Sequence, residues 1–463
     1  MSFTSPDYAV FLLIVVSGYW LLSHARYRKL LLLGSSYVFY GWVHPWFCWL
    51  ILGSTLVDFY CARAMAKTPH RRRLFLTVSL VFNLGMLGFF KYFNFFADSV
   101  SSALTALGVP AGPMTLEIFL PVGISFYTFQ TLSYTLDVYG GRLKPTDSLL
   151  DFATFVALFP QLVAGPIERA AHLLPQIAER KSFCGNHIAR AWPLILRGLV
   201  KKLVIADNVA VQVNQVFALE NPGGPLLVAG TCAFALQILC DFSGYTDIAR
   251  GSARLLGLEL MENFRCPYRA ISPSDFWRRW HISLSSWIND YLYIPLGGSR
   301  QRTRTRFLAT LILTMGLSGL WHGAAWHFVV WGLYHSIILF IYHLMGKGGR
   351  WQPRGKVSHV FSWLIMLTLT LVGWAIFRAP SLSWLWHAWG QAVPGISSAA
   401  EVLVARSMGA TVVLHGAFLL VYTELDRRLE QSPALFHLLH GLALCVLFLM
   451  ASSGEQDFIY FRF

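Results

Sequence analysis

Apolar residues run along this chain in blocks, each followed by a short basic connection or one rich in Ser, Gly and Pro. A membrane-spanning helix needs about 20 mainly apolar residues, fewer where its neighbours enclose it. In the first third, blocks of that kind lie at 6–24, 30–44, 46–62, 74–96, 116–139 and 149–165. Further blocks lie at 188–206, 226–248, 305–322, 324–345, 358–378, 406–423 and 434–451. The pattern predicts an all-α polytopic membrane protein in which two or three blocks cross only halfway. The first block has no basic region before it and no small-residue cleavage pattern after it, so a retained first span is expected.

The connections also predict sidedness. Those after the first and third blocks must lie on one side, and they carry Arg26, Arg28 and Lys29, and Arg63, Lys67, Arg71, Arg72 and Arg73. Basic loops stay cytoplasmic, which puts the N-terminus outside. The connection after the fourth block, Asp98 to Pro113, should then be outside, and it contains no Lys or Arg. Lys201, Lys202 and Arg197 read as a further cytoplasmic end.

Composition agrees with the membrane reading. Hydrophobic residues make up 55% of the chain, aromatics 15% and charged residues 13%, against about 25% charged in a soluble domain. The net charge of +14 is carried by short connections, and no basic, aromatic-interleaved module for nucleic acid is present. Membrane lipid is the expected surround. The seven cysteines form no Cys-x-x-Cys pair, so neither a metal site nor a disulfide framework is expected. Without a repeat or a long linker, residues 1–463 read as a single domain.

One stretch breaks the pattern. Asn263 to Arg300 is dense in aromatics yet carries Arg265, Arg269, Asp275, Arg278, Arg279 and Asp290. Charged backbone at membrane depth survives only where protein or water surrounds it, so a re-entrant or interfacial element is expected. Ser274 offers a helix start there, with Ser272-Pro273 as the breaker ahead of it. Trp277, Arg278, Arg279 and Trp280 suggest an anion-binding wall for a phosphate or carboxylate. Pairing of both arginines with Asp275 and Asp290, or snorkelling to the interface, explains them equally well.

His322 lies inside an apolar run between Trp321 and Gly323. At about 100° per residue, Ser318, Gly319, Ala325, Trp326 and Val329 share its face, and His327 and His335 point away. An ionisable group within a span usually marks a functional path; the plainer reading is an imidazole bonded to nearby backbone. Asp241 and Asp247 stand where an apolar run ends, about a turn and a half apart on a helix, which suits capping or polar packing as well as acid–base work. Neither a P-loop, nor Gly-x-Ser-x-Gly, nor His-Glu-x-x-His occurs, which weakens those hydrolase and nucleotide-binding readings.

Six segments together resemble the membrane-bound O-acyltransferase family, in its branch that decorates bacterial cell-surface polymers. They are PVGISFYTFQTLSYTLDVYGG (121–141), DFATFVALFPQLVAGPIER (151–169), DFSGYTDIARGSARLLG (241–257), DFWRRWHISLSSWINDYLYIPLGG (275–298), SGLWHGAAWHFVVWGLYH (318–335) and FIYFRF (458–463). The resemblance implies a bundle of roughly a dozen spanning and re-entrant helices around a central tunnel. It implies that His322 is the catalytic histidine and His281 the second polar site. It further implies acetyl transfer, with acetyl-CoA as donor and no bound cofactor, to an exported polysaccharide such as alginate or cellulose at the bacterial inner membrane. A periplasmic or membrane-anchored acetyltransferase is the implied partner.

On that reading His322 is a general base, His281 positions the acyl group or stabilises the oxyanion, and Arg278 and Arg279 hold donor phosphates. A polytopic transporter or export component using His322 as a proton relay is the alternative, though no inverted repeat supports it.

Overall fold

The computed structural model describes the chain except residues 110–111, 113–114, 164, 302, 392–397, 430–431, 452–457 and 459–463. The regular structure of the described residues is helical, with no strand among them. Six helical segments are long and apolar enough to cross a membrane: Phe47–Lys67, Pro69–Ala106, Gly224–Leu255, Trp326–Leu344, Lys356–Arg378 and Ala399–Asp426. The protein is an all-α, multi-pass integral membrane protein, as its apolar blocks predict. It divides into two compact units, Met1–Ala191 with Ala249–Met261, and Trp192–Ile248 with Glu262–Phe463.

The first unit opens with α1 (Pro6–Leu21), whose first turn is capped by Ser5: its Oγ accepts the Tyr8 N–H at 3.2 Å. Proline at the first helical position costs nothing there, because that N–H has no partner in a helix anyway. Helices α2 (Ala25–Gly41) and α3 (Phe47–Lys67) follow. A 3₁₀ turn then leads into α4 (Arg72–Leu87), a π-turn (Gly88–Tyr92) and α5 (Phe93–Ala106). Next come α6 (Ile124–Tyr139), α7 (Leu149–Ala157), α8 (Phe159–Leu162) and α9 (Ala170–Ala178).

Two predicted spans are shorter than their apolar blocks. Helix α6 starts at Ile124 rather than near 116, after the run through Pro121. The block at 149–165 breaks at Leu158, which leaves helical geometry. Pro160 in the next turn has no N–H and cannot continue α7, and the Phe159 N–H freed by the break donates to Ser36 Oγ at 3.1 Å. Two of the basic residues used to assign sidedness stand on α2 and hold the fold. Arg28 donates to the carbonyls of Leu22 and Lys181, and Lys29 pairs with Asp151 at 2.6 Å.

A polar seam joins α3, α4 and α6. Asp58, fully buried, accepts from Ser79 Oγ at 2.5 Å and from Asn83 Nδ2 at 3.0 Å on each oxygen. Ser54 Oγ donates to Asn83 Oδ1 at 2.5 Å and lies 3.4 Å from Thr131 Oγ1. Every side chain of the seam has its partner within it.

In the second unit α10 (Gly185–Leu199), which begins in the first, runs through a π-turn (Val200–Ala206) into α11 (Asp207–Ala218). Helix α12 (Gly224–Leu255) is 32 residues long and continues past the predicted end of its block. Asp241 and Asp247 therefore lie inside a helix and cap nothing. Lys202 is buried, 2.7 Å from Asp207 and 2.8 Å from Asp241. Lys201 reaches Asp247 at 2.7 Å. Paired charges inside a protein need this kind of mutual compensation.

After the short helices α13 (Pro273–Trp277) and α14 (Ile282–Ile288) come α15 (Arg304–His322), α16 (Trp326–Leu344) and α17 (Lys356–Arg378). The chain continues with α18 (Leu382–Gln391), α19 (Ala399–Leu429) and α20 (Pro433–Met450). Of the terminal FIYFRF only Phe458 is among the described residues, and its ring meets Tyr245 at 4.4 Å.

Candidate active site

Helices α15 and α16 form a hairpin whose crossing depends on glycine. A Cβ on Gly319 would lie 2.1 Å from the Phe328 carbonyl oxygen, and one on Gly332 would lie 2.1 Å from that of Met315. No side chain fits at either point, so the two backbones touch. His322 is the last residue of α15, and Gly323 and Ala325 are extended. The face computed across a continuous helix therefore does not exist: the break at 323–325 releases Ala325, Trp326 and Val329 from it.

The break turns α16 back along α15 and brings its aromatic residues to His322. The imidazole, 2% exposed, meets Trp321 at 5.1 Å, Trp331 at 5.1 Å and Phe377 of α17 at 5.4 Å between ring centroids, all edge to face. Trp331 meets His335 at 4.8 Å on its other contacts, and Trp277 meets the same imidazole at 5.1 Å. His335, which helical spacing turned away from the site, thus belongs to the same aromatic cluster. Trp331 Nε1 and His335 Nδ1 are buried with no hydrogen-bond partner among the described residues.

The stretch 263–300 folds into short helices joined by tight turns. Helix α13 starts from Ser272, whose Oγ accepts the Asp275 N–H at 3.2 Å; Ser274 is inside the helix, and Pro273 is its first residue rather than a breaker. His281 precedes α14 with φ 41° and ψ 56°, a left-handed conformation. Among the described residues only Cys266 shares positive φ without being glycine. The fully buried His281 ring meets Phe242 of α12 at 4.6 Å and Trp321 of α15 at 5.6 Å. Trp321 thus packs against both candidate histidines, which are far apart in sequence.

Asp275 organises the basic wall. Its Oδ1 accepts from Arg279 Nε at 3.1 Å and from Arg278 at 3.4 Å, while Arg278 also donates to the Gly349 carbonyl at 2.7 Å. Both arginines keep part of their surface in the open, at 41% and 34% exposure. Pairing with Asp275 holds; Asp290 accepts from its neighbour Asn289 at 3.0 Å. Trp280 stacks on Phe276 at 5.7 Å, meets Trp374 tilted at 4.7 Å and is 1% exposed. Trp277 is half-buried beside the arginines.

Chemically, the site offers two imidazoles in a buried aromatic enclosure and two partly open guanidinium groups. No group of three or more His, Cys, Asp or Glu side chains able to hold a metal occurs among the described residues.

Comparison with known proteins gives this geometry its context. The profile of MBOAT, the membrane-bound O-acyltransferase family, matches residues 142–372, which include both histidines. The chain is 41% identical over 390 residues to the probable alginate O-acetylase AlgI of Pseudomonas aeruginosa, covering 84% of this chain and 74% of that one. It is 33% identical over 407 residues to the peptidoglycan O-acetyltransferase of Helicobacter pylori, covering 80% and 76%. Over 285 residues it is 27% identical to the teichoic acid D-alanyltransferase of Bacillus subtilis, covering 57% and 70%.

Proposed function

The chain is an O-acyltransferase of the membrane-bound O-acyltransferase family, and from that premise we propose that it passes acetyl groups from cytoplasmic acetyl-CoA across the bacterial inner membrane to an exported exopolysaccharide. Alginate or cellulose is the polymer, modified directly or through a periplasmic or membrane-anchored acetyltransferase partner. The N-terminus lies on the periplasmic side, as the distribution of basic residues suggests. The relatives named above support polymer O-acetylation.

His322 is the general base. It takes the proton of the acceptor hydroxyl as that oxygen bonds to the thioester carbonyl carbon. The tetrahedral adduct then collapses, the carbon–sulfur bond breaks, and the proton passes to the departing sulfur as CoA thiol. A positioned base of this kind contributes about 10²–10⁴-fold in rate. His281 holds the acyl group or its developing oxyanion, and the open edges of Arg278 and Arg279, beside Trp277, take donor phosphates.

The observation that carries this reading is the pair of buried imidazoles packed against one tryptophan. The test is polymer-bound acetyl in a deletion strain complemented with wild type, His322→Ala or His281→Ala at matched membrane levels. His322→Ala should insert normally and yield unacetylated polymer; full acetylation by that variant would make His322 structural. Failed export with unchanged acetyl per chain would point instead to transport.

A further inference from the structure

We infer that Asn263 is a positioning residue for His281, an assignment that rests on the proposed role of His281 in acyl transfer. Three hydrogen bonds carry it. The Arg265 N–H donates to the Arg279 carbonyl at 3.0 Å, just before His281. The Ile282 N–H donates to the Asn263 carbonyl at 3.0 Å, and the Ser283 N–H to Asn263 Oδ1 at 3.2 Å, just after it. His281 is thus the apex of a turn clamped on both flanks by the segment from Asn263 to Arg265.

The clamp matters because of the conformation it holds. A left-handed histidine is strained relative to its right-handed forms. The first N–H groups of α14 also need acceptors, and the His281 side chain, which occupies the capping position, makes no capping bond. Asn263 supplies both missing acceptors from 20 residues upstream. Its amide is fully buried, and Nδ2 has no partner among the described residues. The orientation of the amide therefore follows from the oxygen, which must face the Ser283 N–H. The side-chain oxygen at position 263 is the part of the clamp that a substitution removes.

The test compares the purified full-length protein in detergent with Asn263→Ala, Asn263→Asp, His281→Ala and the Asn263→Ala/His281→Ala double variant, each checked for folded yield and thermal unfolding. Turnover is followed as CoA thiol released from acetyl-CoA with alginate or cellulose oligosaccharide as the acceptor probe. Asn263→Ala should lower kcat by about 10²-fold, the cost of misplacing a catalytic group by about an ångström, with KM within about twofold. Asn263→Asp keeps the acceptor and should recover most of the loss. The double variant should be no slower than His281→Ala alone, because Asn263 acts through that imidazole. Additive losses, or Asn263→Asp as slow as Asn263→Ala, would overturn the assignment. Full turnover by His281→Ala would remove the role of His281 itself, and the assignment with it. A slow His281→Ala beside a fully active Asn263→Ala would leave that role standing and overturn the assignment alone.

Discussion

The Asp58 seam of the first unit and the His322 cluster of the second are both buried and both contain polar side chains, yet they are built on opposite rules. In the seam, the carboxylate, the hydroxyls and the amide satisfy one another across three helices. In the cluster, imidazoles and indoles meet edge to face, and Trp331 Nε1 and His335 Nδ1 have no hydrogen-bond partner among the described residues. A satisfied buried group contributes to stability, whereas a buried donor or acceptor kept without a partner costs about 1–3 kcal/mol. Such a group is open to a water, a ligand or a reacting partner. The contrast separates polar groups that hold this protein together from those available for its chemistry.

The largest effect should come from the cluster. His322→Ala should lower acyl transfer by about 10²–10⁴-fold while the unfolding temperature in detergent stays near that of wild type. An equal loss of folded protein would erase the contrast. Lys202 asks whether pairing or location decides the behaviour, since it is a fully paired group in the same unit as the cluster. Lys202→Met strands Asp207 and Asp241 without their cation and should destabilise by about 3–5 kcal/mol, read as lost folded yield and a lower unfolding temperature.

Asp58→Ala should behave in the same sense but more mildly. Leaving Ser79 and Asn83 without their acceptor costs about 1–3 kcal/mol, and turnover per folded molecule should not change. A turnover defect without a stability defect would move the seam into the reaction. The smallest effect belongs to His172, whose Nδ1 lies 2.7 Å from the buried Glu168 carboxylate. That hydrogen bond raises the imidazole above its ordinary value of 6.5. A pKa raised in the folded state adds stability that is complete below about 6.5 and is lost as pH rises through the folded value. His172 is 44% exposed, so the contribution should stay below about 1 kcal/mol. Unfolding temperatures of wild type and His172→Gln should differ at pH 5.5 and converge at pH 8.5.

Much of the architecture was legible because membrane helices are written in composition. Apolar blocks of the right length predicted helices such as Phe47–Lys67 and Lys356–Arg378 closely. Errors arose where one residue overrides composition: Pro160 splitting a block, or Gly323 ending α15 where the spacing argument had run straight on. His322 and His281 stood out as ionisable groups in apolar or aromatic surroundings. His335 did not, because its approach to Trp331 comes from a helix reversal that periodicity does not encode. Asn263 was invisible for a different reason: its side-chain oxygen meets the Ser283 N–H 20 residues away, and one more asparagine in the stretch carries no such signal. The pairing of Lys202 with Asp241 is likewise a fact of tertiary packing.

The glycine crossing between α15 and α16 has a consequence for the order in which this protein is made. The hairpin joins segments adjacent in sequence, so its contacts close over short loops and need nothing synthesised later. His322 and Trp331 can meet while the ribosome is still producing the next helix. Phe377, on α17, arrives only when that helix has been inserted. Chain order therefore makes the contact of His322 with Trp331 available one helix before its contact with Phe377.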